Sequence, residues 1–310
     1  MVLLVGGGSL FAAGARGRDT SDPTPAPAPP ADPRAQLRRA LDDVEHARYR
    51  AALAAVDAMQ DQPDTALVRG LIRARALRGL GRDAPAFRAL EQTAAAFPDE
   101  DAPKLELLAL CRDLGLRARA RHWATELLAG RPTRPRVMTV LEALYDDAAA
   151  LPLLERAAAP FHEDGDVLYR LAHAYAAARH RHAAGTLFAR AAQRGRAAAF
   201  EAADQFRLAG ATRRALRLNA RVADETKRLR QRVRILSDAQ RFARTVALEA
   251  EARRLGIDDP NVRYRFAYAR FRLGQEDRAT ELARALVGTE VEDPATALLR
   301  ALGRPLEVSD

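Results

Sequence analysis

A spacing of 34 residues recurs along this chain and constrains its fold more than any other feature. Gly81 and Gly115 are 34 apart, each preceded by Leu, in "LRGLGRDAPAF" and "CRDLGLRARAR". Ala52, Ala86 and Ala120 share that spacing, as do Pro98 and Pro132, each of which closes an apolar helical run. The unit reads as a helix, a tight turn at Gly, a second helix and a turn marked by Pro. Gly supplies the left-handed turn conformation, Ala lets paired helices approach closely, and Pro halts the second helix. Composition agrees. Ala and Arg, strong helix formers, dominate a chain of 310 residues with 48% hydrophobic, 29% charged and 5% aromatic residues. That is enough apolar material for a core, and it disfavours a β-rich fold.

The pattern resembles the tetratricopeptide repeat, a helical hairpin of 34 residues. With the first unit begun at Pro33, the family's small residue at position eight falls on Ala40, Ala74, Ala172, Ala203 and Ala267. Its Ala at position twenty falls on Ala52, Ala86, Ala120, Ala184, Ala215 and Ala279, and its turn Gly on Gly81, Gly115, Gly210 and Gly274. Tyr175, in "LYRLAHAYAAA", and Phe188 take the aromatic positions of the two helices. The match is strongest over 67–100, 101–134 and 165–195. The block from Pro135 to Asp164 loses the Gly and Ala marks, later units step by 30 or 31, and the block around Ser237 fits poorly. The resemblance implies an all-α fold, a right-handed superhelical α-solenoid of about eight antiparallel helix pairs over 34–292. Residues 293–310 then form a capping helix and tail. A generic α-solenoid of irregular hairpins is the alternative.

Upstream, residues 1–15 read as a signal peptide or apolar leader, with Ala13-Gly14-Ala15 as a cleavage site and no basic residue before the apolar run. Residues 16–33, including DTSDPTPAPAPPADP, read as a Pro/Ala-rich disordered linker. Together they predict a periplasmic or otherwise exported protein, with a cytoplasmic one as the alternative, touching a membrane only through an uncleaved leader. No Cys follows the apolar run, which excludes a lipoprotein anchor. Gly6-Gly7-Gly8-Ser9 lacks the Lys of a phosphate loop.

The net charge of +9 is carried almost wholly by arginine, since Lys104 and Lys227 are the two lysines. A coding sequence rich in G and C yields the same bias, so the charge is weaker evidence for nucleic acid than it would be in a Lys-rich protein. No GxSxG, HExxH or GK[ST] occurs, and Ser237 is the one serine inside the repeats. Cys111 lies in an apolar stripe with Leu107, Leu110 and Leu114, which reads as a buried inert thiol. His180 and His182 read as solvated turn residues rather than metal ligands, and Asp146-Asp147 and Asp258-Asp259 as turn or capping residues. No catalytic set, cofactor or metal is expected.

In the family, positions two, five, nine, twelve and thirteen of each first helix face a concave groove. By resemblance these are Leu71, Arg75, Arg78, Leu105, Arg112, Tyr169, His173, Phe200, Arg207, Arg230, Arg234, Tyr264 and Tyr268, with Val68 and Asp204 beside them. Arginine forks mixed with apolar and aromatic side chains suit a protein or peptide partner carrying carboxylates. Arg75, Arg78 and Arg112, beside Leu71 and Leu105, are expected to form one strip. The resulting expectation is a non-enzymatic scaffold or adaptor for protein–protein interaction in the bacterial cell envelope. The alternatives are an accessory subunit of envelope polysaccharide synthesis or export, a basic helical nucleic-acid binder and, last, an enzyme in a helical fold. No oligomeric state follows from the sequence.

Overall fold

The computed structural model describes residues 32–60, 62–129 and 132–304. The expected leader, most of the linker and the last residues of the tail lie outside them. Among the described residues all regular structure is helical. The α-helices are α1 (Pro33–Glu45), α2 (Tyr49–Ala58), α3 (Pro63–Gly79), α4 (Asp83–Ala96), α5 (Asp101–Asp113), α6 (Arg117–Leu127), α7 (Arg134–Leu144), α8 (Leu151–Ala158) and α9 (Gly165–Ala177). They continue as α10 (Arg181–Gln193), α11 (Ala199–Leu208), α12 (Thr212–Asn219), α13 (Glu225–Asp238), α14 (Phe242–Val246), α15 (Glu249–Arg254), α16 (Pro260–Arg272), α17 (Glu276–Arg284) and α18 (Glu292–Ala301). The chain divides after Arg82 into two compact units.

The same turn closes helix after helix. Gly81, Gly115, Gly210 and Gly274 are left-handed, with φ between 67° and 73°. At each, the next amide reaches back five residues, as in Leu116 N donating to Cys111 O at 2.8 Å and Gln275 N to Arg270 O at 3.0 Å. This is the Schellman closure, which satisfies carbonyls that a helix end leaves open. Ala47, Arg179 and Gln240 take the same conformation without being glycine, with φ of 57°, 63° and 54°. Their following amides make the same bonds, to Asp43 O, Tyr175 O and Leu236 O. Gln240→Gly, which removes a Cβ penalty at an exposed turn, is therefore expected to stabilise by about 1 kcal/mol. A rise in the urea midpoint at unchanged slope would show it. Several first helices start on Asp or Pro: Asp164 accepts from Asp166 N and Val167 N, Asp259 from Asn261 N and Val262 N, and Pro33, Pro63 and Pro260 open α1, α3 and α16.

In the first unit α1, α2 and α3 pack on one another around Leu37, Ala40, Ala52, Val56, Ile72 and Ala76. Gly79 lies against the Tyr49 ring, where a Cβ would fall 2.5 Å from ring atoms, so a larger residue there has to displace the ring. In the second unit each hairpin closes on itself (α5 on α6, α9 on α10, α11 on α12, α16 on α17) and stacks on the next. First helix meets first helix, as α5 on α7, α7 on α9, α11 on α13 and α13 on α16. The closing α18 packs on α17 through Leu298 and Leu299. Every alanine that the resemblance placed at positions eight and twenty is buried, at 2% exposure or less.

The two irregular blocks have separate physical causes. After α7 the turn is held by a side chain instead of a glycine: Asp147, buried, accepts from Ala149 N at 3.1 Å and pairs with Arg121 Nη1 at 2.6 Å. Around Ser237 the second helix is broken at Ala247–Leu248 into α14 and α15. Ion pairs join neighbouring hairpins of the second unit, among them Arg170–Glu142 at 2.7 Å, Arg196–Asp166 at 3.2 Å and Arg265–Asp238 at 2.6 Å. Such exposed pairs contribute about 0–1 kcal/mol each, and they fix register more than they add stability.

Candidate binding hollow on three first helices

The helices α11, α13 and α16 are the first helices of three consecutive hairpins, and they enclose a hollow of about 460 Å³. On α13, Lys227, Arg230, Gln231 and Arg234 follow the i, i+3, i+4, i+7 spacing that places residues on one face. Phe200 comes from α11, and Val262 and Arg265 from α16, with Asp259 and Asn261 at the start of α16. The Gln231 amide lies at its base, tied to a second buried amide behind it. Gln231 Nε2 donates to Phe200 O at 2.8 Å, while Gln231 Oε1 accepts from Asn219 Nδ2 at 3.1 Å. Asn219 Nδ2 also donates to Arg228 O at 2.9 Å, so α11, α12 and α13 are tied beneath the cations.

The charges around the hollow differ in how firmly they are held. Arg207, with its side chain 9% exposed, is locked between Asp204 and Asp238, and Arg265 Nη1 holds the other oxygen of Asp238 at 2.6 Å. Burial alone would raise the Asp238 carboxyl, but hydrogen bonds from Arg265 and Arg207 hold it below the usual range. Arg230 stands 3.6 Å from Asp259 and Arg234 4.0 Å from Asp204, both beyond hydrogen-bond distance. Lys227 makes no side-chain ion pair among the described residues. Three cations therefore face the hollow with weak internal competition.

Of the residues placed in the groove by resemblance, the hollow gathers Phe200, Arg230 and Arg234. Arg207 is the buried tie beside them. Tyr169 and His173 pack edge-on at 4.7 Å beside Phe188, and burial holds the His173 imidazole below its ordinary pKa, so it is uncharged at neutral pH. Tyr264 and Tyr268 stack at 6.3 Å and pack toward Leu298 and Leu299. Leu71, Arg75 and Arg78 belong to the first unit and Leu105 and Arg112 to the second. Arg75 and Arg78 each have an interaction partner, and Arg112 pairs with its neighbour Asp113 at 2.8 Å. Lys227, Gln231, Asn261, Val262 and Arg265 are not among the groove residues that the sequence offers, and Asp259 reads there as a turn or capping residue, which it also is. The signal for two of them was present: Lys227 is a turn before Arg230, and Arg265 follows Arg234 by one 31-residue step.

Elsewhere, Cys111 is fully buried and desolvation pushes its thiol up to about 11, which keeps it protonated. His182 Nε2 meets Arg214 Nη1 at 2.7 Å, while His180 lies edge-on to Tyr175 at 6.0 Å. Among the described residues no three His, Cys, Asp or Glu side chains gather to hold a metal, and no helix is long and apolar enough to cross a membrane.

No protein-family model matches this chain, and no curated protein matches it. Among solved structures it is similar to a tetratricopeptide repeat protein from Parabacteroides merdae ATCC 43184, at 11% identity over 87% of this chain and 98% of that one, with a TM-score of 0.38. It is also similar to the TPR domain of P58(IPK), at 13% identity over 87% of this chain and 97% of that one, with a TM-score of 0.30. The fold itself rests on the chain's own marks: left-handed Gly turns and buried alanines at repeat spacing make this an all-α protein of tetratricopeptide-like hairpins.

Proposed function

We propose that this protein is an exported, non-enzymatic scaffold that holds an acidic, extended segment of a partner protein on α11, α13 and α16. The carrying observation is the loosely held cation set of Lys227, Arg230 and Arg234 beside the partly exposed Phe200 ring. Partner carboxylates can take over Arg230 and Arg234 from Asp259 and Asp204, and an apolar side chain can cover Phe200. The cations of α13 span about 10 Å along its axis, at 1.5 Å per residue. Acidic residues two apart on an extended strand, about 7 Å, fall within that reach. Asp204, Asp238 and Asp259 stand among the arginines and repel a continuous phosphate backbone, which favours a peptide over nucleic acid. Export is supported by the apolar leader and the Pro/Ala segment of the sequence.

The test compares a fluorescent peptide of alternating Glu and Leu with a short single-stranded DNA by polarisation. Peptide affinity is expected to fall with rising salt, and to drop about tenfold or more in Arg230→Glu/Arg234→Glu with helicity unchanged. Equal peptide binding by the folded variant, or tighter DNA binding with a steep salt slope, would overturn this reading.

A further inference from the structure

On the opposite side of α13 there is a second hollow, of about 290 Å³, lined by Leu216, Asn219 and Ala220 after the α11–α12 turn, by Arg228, Leu229 and Arg232 of α13, and by Arg244 and Glu251. At 100° per residue, positions 228, 229 and 232 face away from 227, 230, 231 and 234. The two hollows therefore share a helix but no residue. We infer that this outer hollow binds the phosphate group of a small phosphate monoester or of free phosphate.

Three observations support the inference. First, the hollow lies where the repeat is broken: Arg244 stands on α14 and Glu251 on α15, on either side of the interruption at Ala247–Leu248. Departures from a repeated local pattern concentrate at functional sites. Second, cations outnumber carboxylates in its lining, three arginines against Glu251. Arg228 is anchored by Val222 O at 2.9 Å and Glu225 at 3.3 Å, but Arg232 and Arg244 make no ion pair or hydrogen bond among the described residues. By contrast, at the hollow that Glu249 lines, the carboxylate is already paired with Arg253, Arg270 and Arg278. Third, the geometry selects the anion. Two guanidinium forks on different helices meet one small volume floored by Leu216, Ala220 and Leu229. A carboxylate offers two coplanar oxygens, which match one fork, whereas a tetrahedral phosphate offers oxygens in more than one plane and can meet both.

The test uses the full chain with three probes: inorganic phosphate, glycerol phosphate, and vesicles of phosphatidylcholine with or without phosphatidic acid. Binding is read by titration calorimetry for the soluble probes and by co-sedimentation for vesicles. The expected result is saturable binding of a soluble probe, weakened tenfold or more in Arg232→Gln/Arg244→Gln. The control Arg213→Gln/Arg217→Gln removes the same charge from α12 and is expected to bind as the parent does. Binding confined to phosphatidic acid vesicles and lost in the same variant would keep the phosphate site and assign its source to lipid. No saturable binding of any probe, or equal weakening in the control, would overturn the inference. Should the double variant lose helicity, Arg244→Gln, at the exposed member of the pair, is read against the same criterion.

Discussion

Replacing Ala120 by Trp is expected to destabilise the protein by about 3 kcal/mol or more, at the upper end of what overpacking costs. Ala120 is 1% exposed on α6, on the face where α6 meets α5. The distance between those helices is set by a methyl group, and a close-packed helix interface resists a side chain as large as an indole. The helices must separate, which exposes Leu107 and Leu110, or the indole must leave the interface and carry the backbone with it. For a unit of this size each kcal/mol is worth about 2–4 °C, so a fall in Tm of roughly 6–12 °C is expected. Ala118→Trp, at an exposed position on the same helix, serves as control and should stay within about 0.5 kcal/mol of the parent. If the two variants melted together, α5 and α6 would not be in the close contact that the repeat requires.

The small residues were legible in the sequence because they act locally. A hairpin needs Ala where its helices touch and a left-handed residue where the first helix ends, and both recur at fixed spacing whatever the surroundings. Ala47, Arg179 and Gln240 show the limit of that reading. They occupy the same left-handed turn, yet nothing in an Ala, Arg or Gln marks it, because the tertiary packing of two helices outweighs a penalty of about 1 kcal/mol. Asp147 shows another limit, since a side-chain carboxylate replaces the turn glycine and its partner Arg121 is 26 residues away. The site follows the same rule. Phe200, Arg230 and Arg234 were legible as positions on first helices. That Arg207 is locked while Arg230 and Arg234 are loosely held was not, because it depends on how Asp204, Asp238 and Asp259 of successive hairpins divide among the arginines. In a chain this rich in arginine, charge type carries little information and the pairing carries most of it.

That pairing is most concentrated at Glu249, and Glu249→Ala is expected to cost about 2–3 kcal/mol at neutral pH. The Glu249 side chain is 12% exposed. Its Oε2 accepts from Arg270 Nε at 2.9 Å and Nη2 at 2.6 Å, and its Oε1 from Arg253 and Arg278, each at 3.3 Å. Removing the carboxylate leaves the Arg270 guanidinium, only one-fifth exposed, with Gln275 Oε1 at 2.7 Å and no counter-charge, while the more exposed Arg253 and Arg278 lower the penalty below that of a fully buried pair. The same site fixes a pH dependence. Burial pushes the Glu249 carboxyl up, but the hydrogen bonds and charge of Arg270 and Arg278 outweigh it and hold the folded value below the ordinary one. A carboxyl depressed in this way contributes stability that is fully present above its unfolded value, about 4.3, and lost as pH falls through the folded value. Protonation of Glu249 in the parent takes its charge from the same three arginines as the substitution does, leaving Arg278 with Glu281 and Arg270 with Gln275. The gap between parent and variant, read from urea midpoints, should therefore be constant from about pH 7 to 5 and close as the solution is acidified further. A gap unchanged down to the acid limit of folding would mean that Glu249 stabilises through its packing and not through its charge.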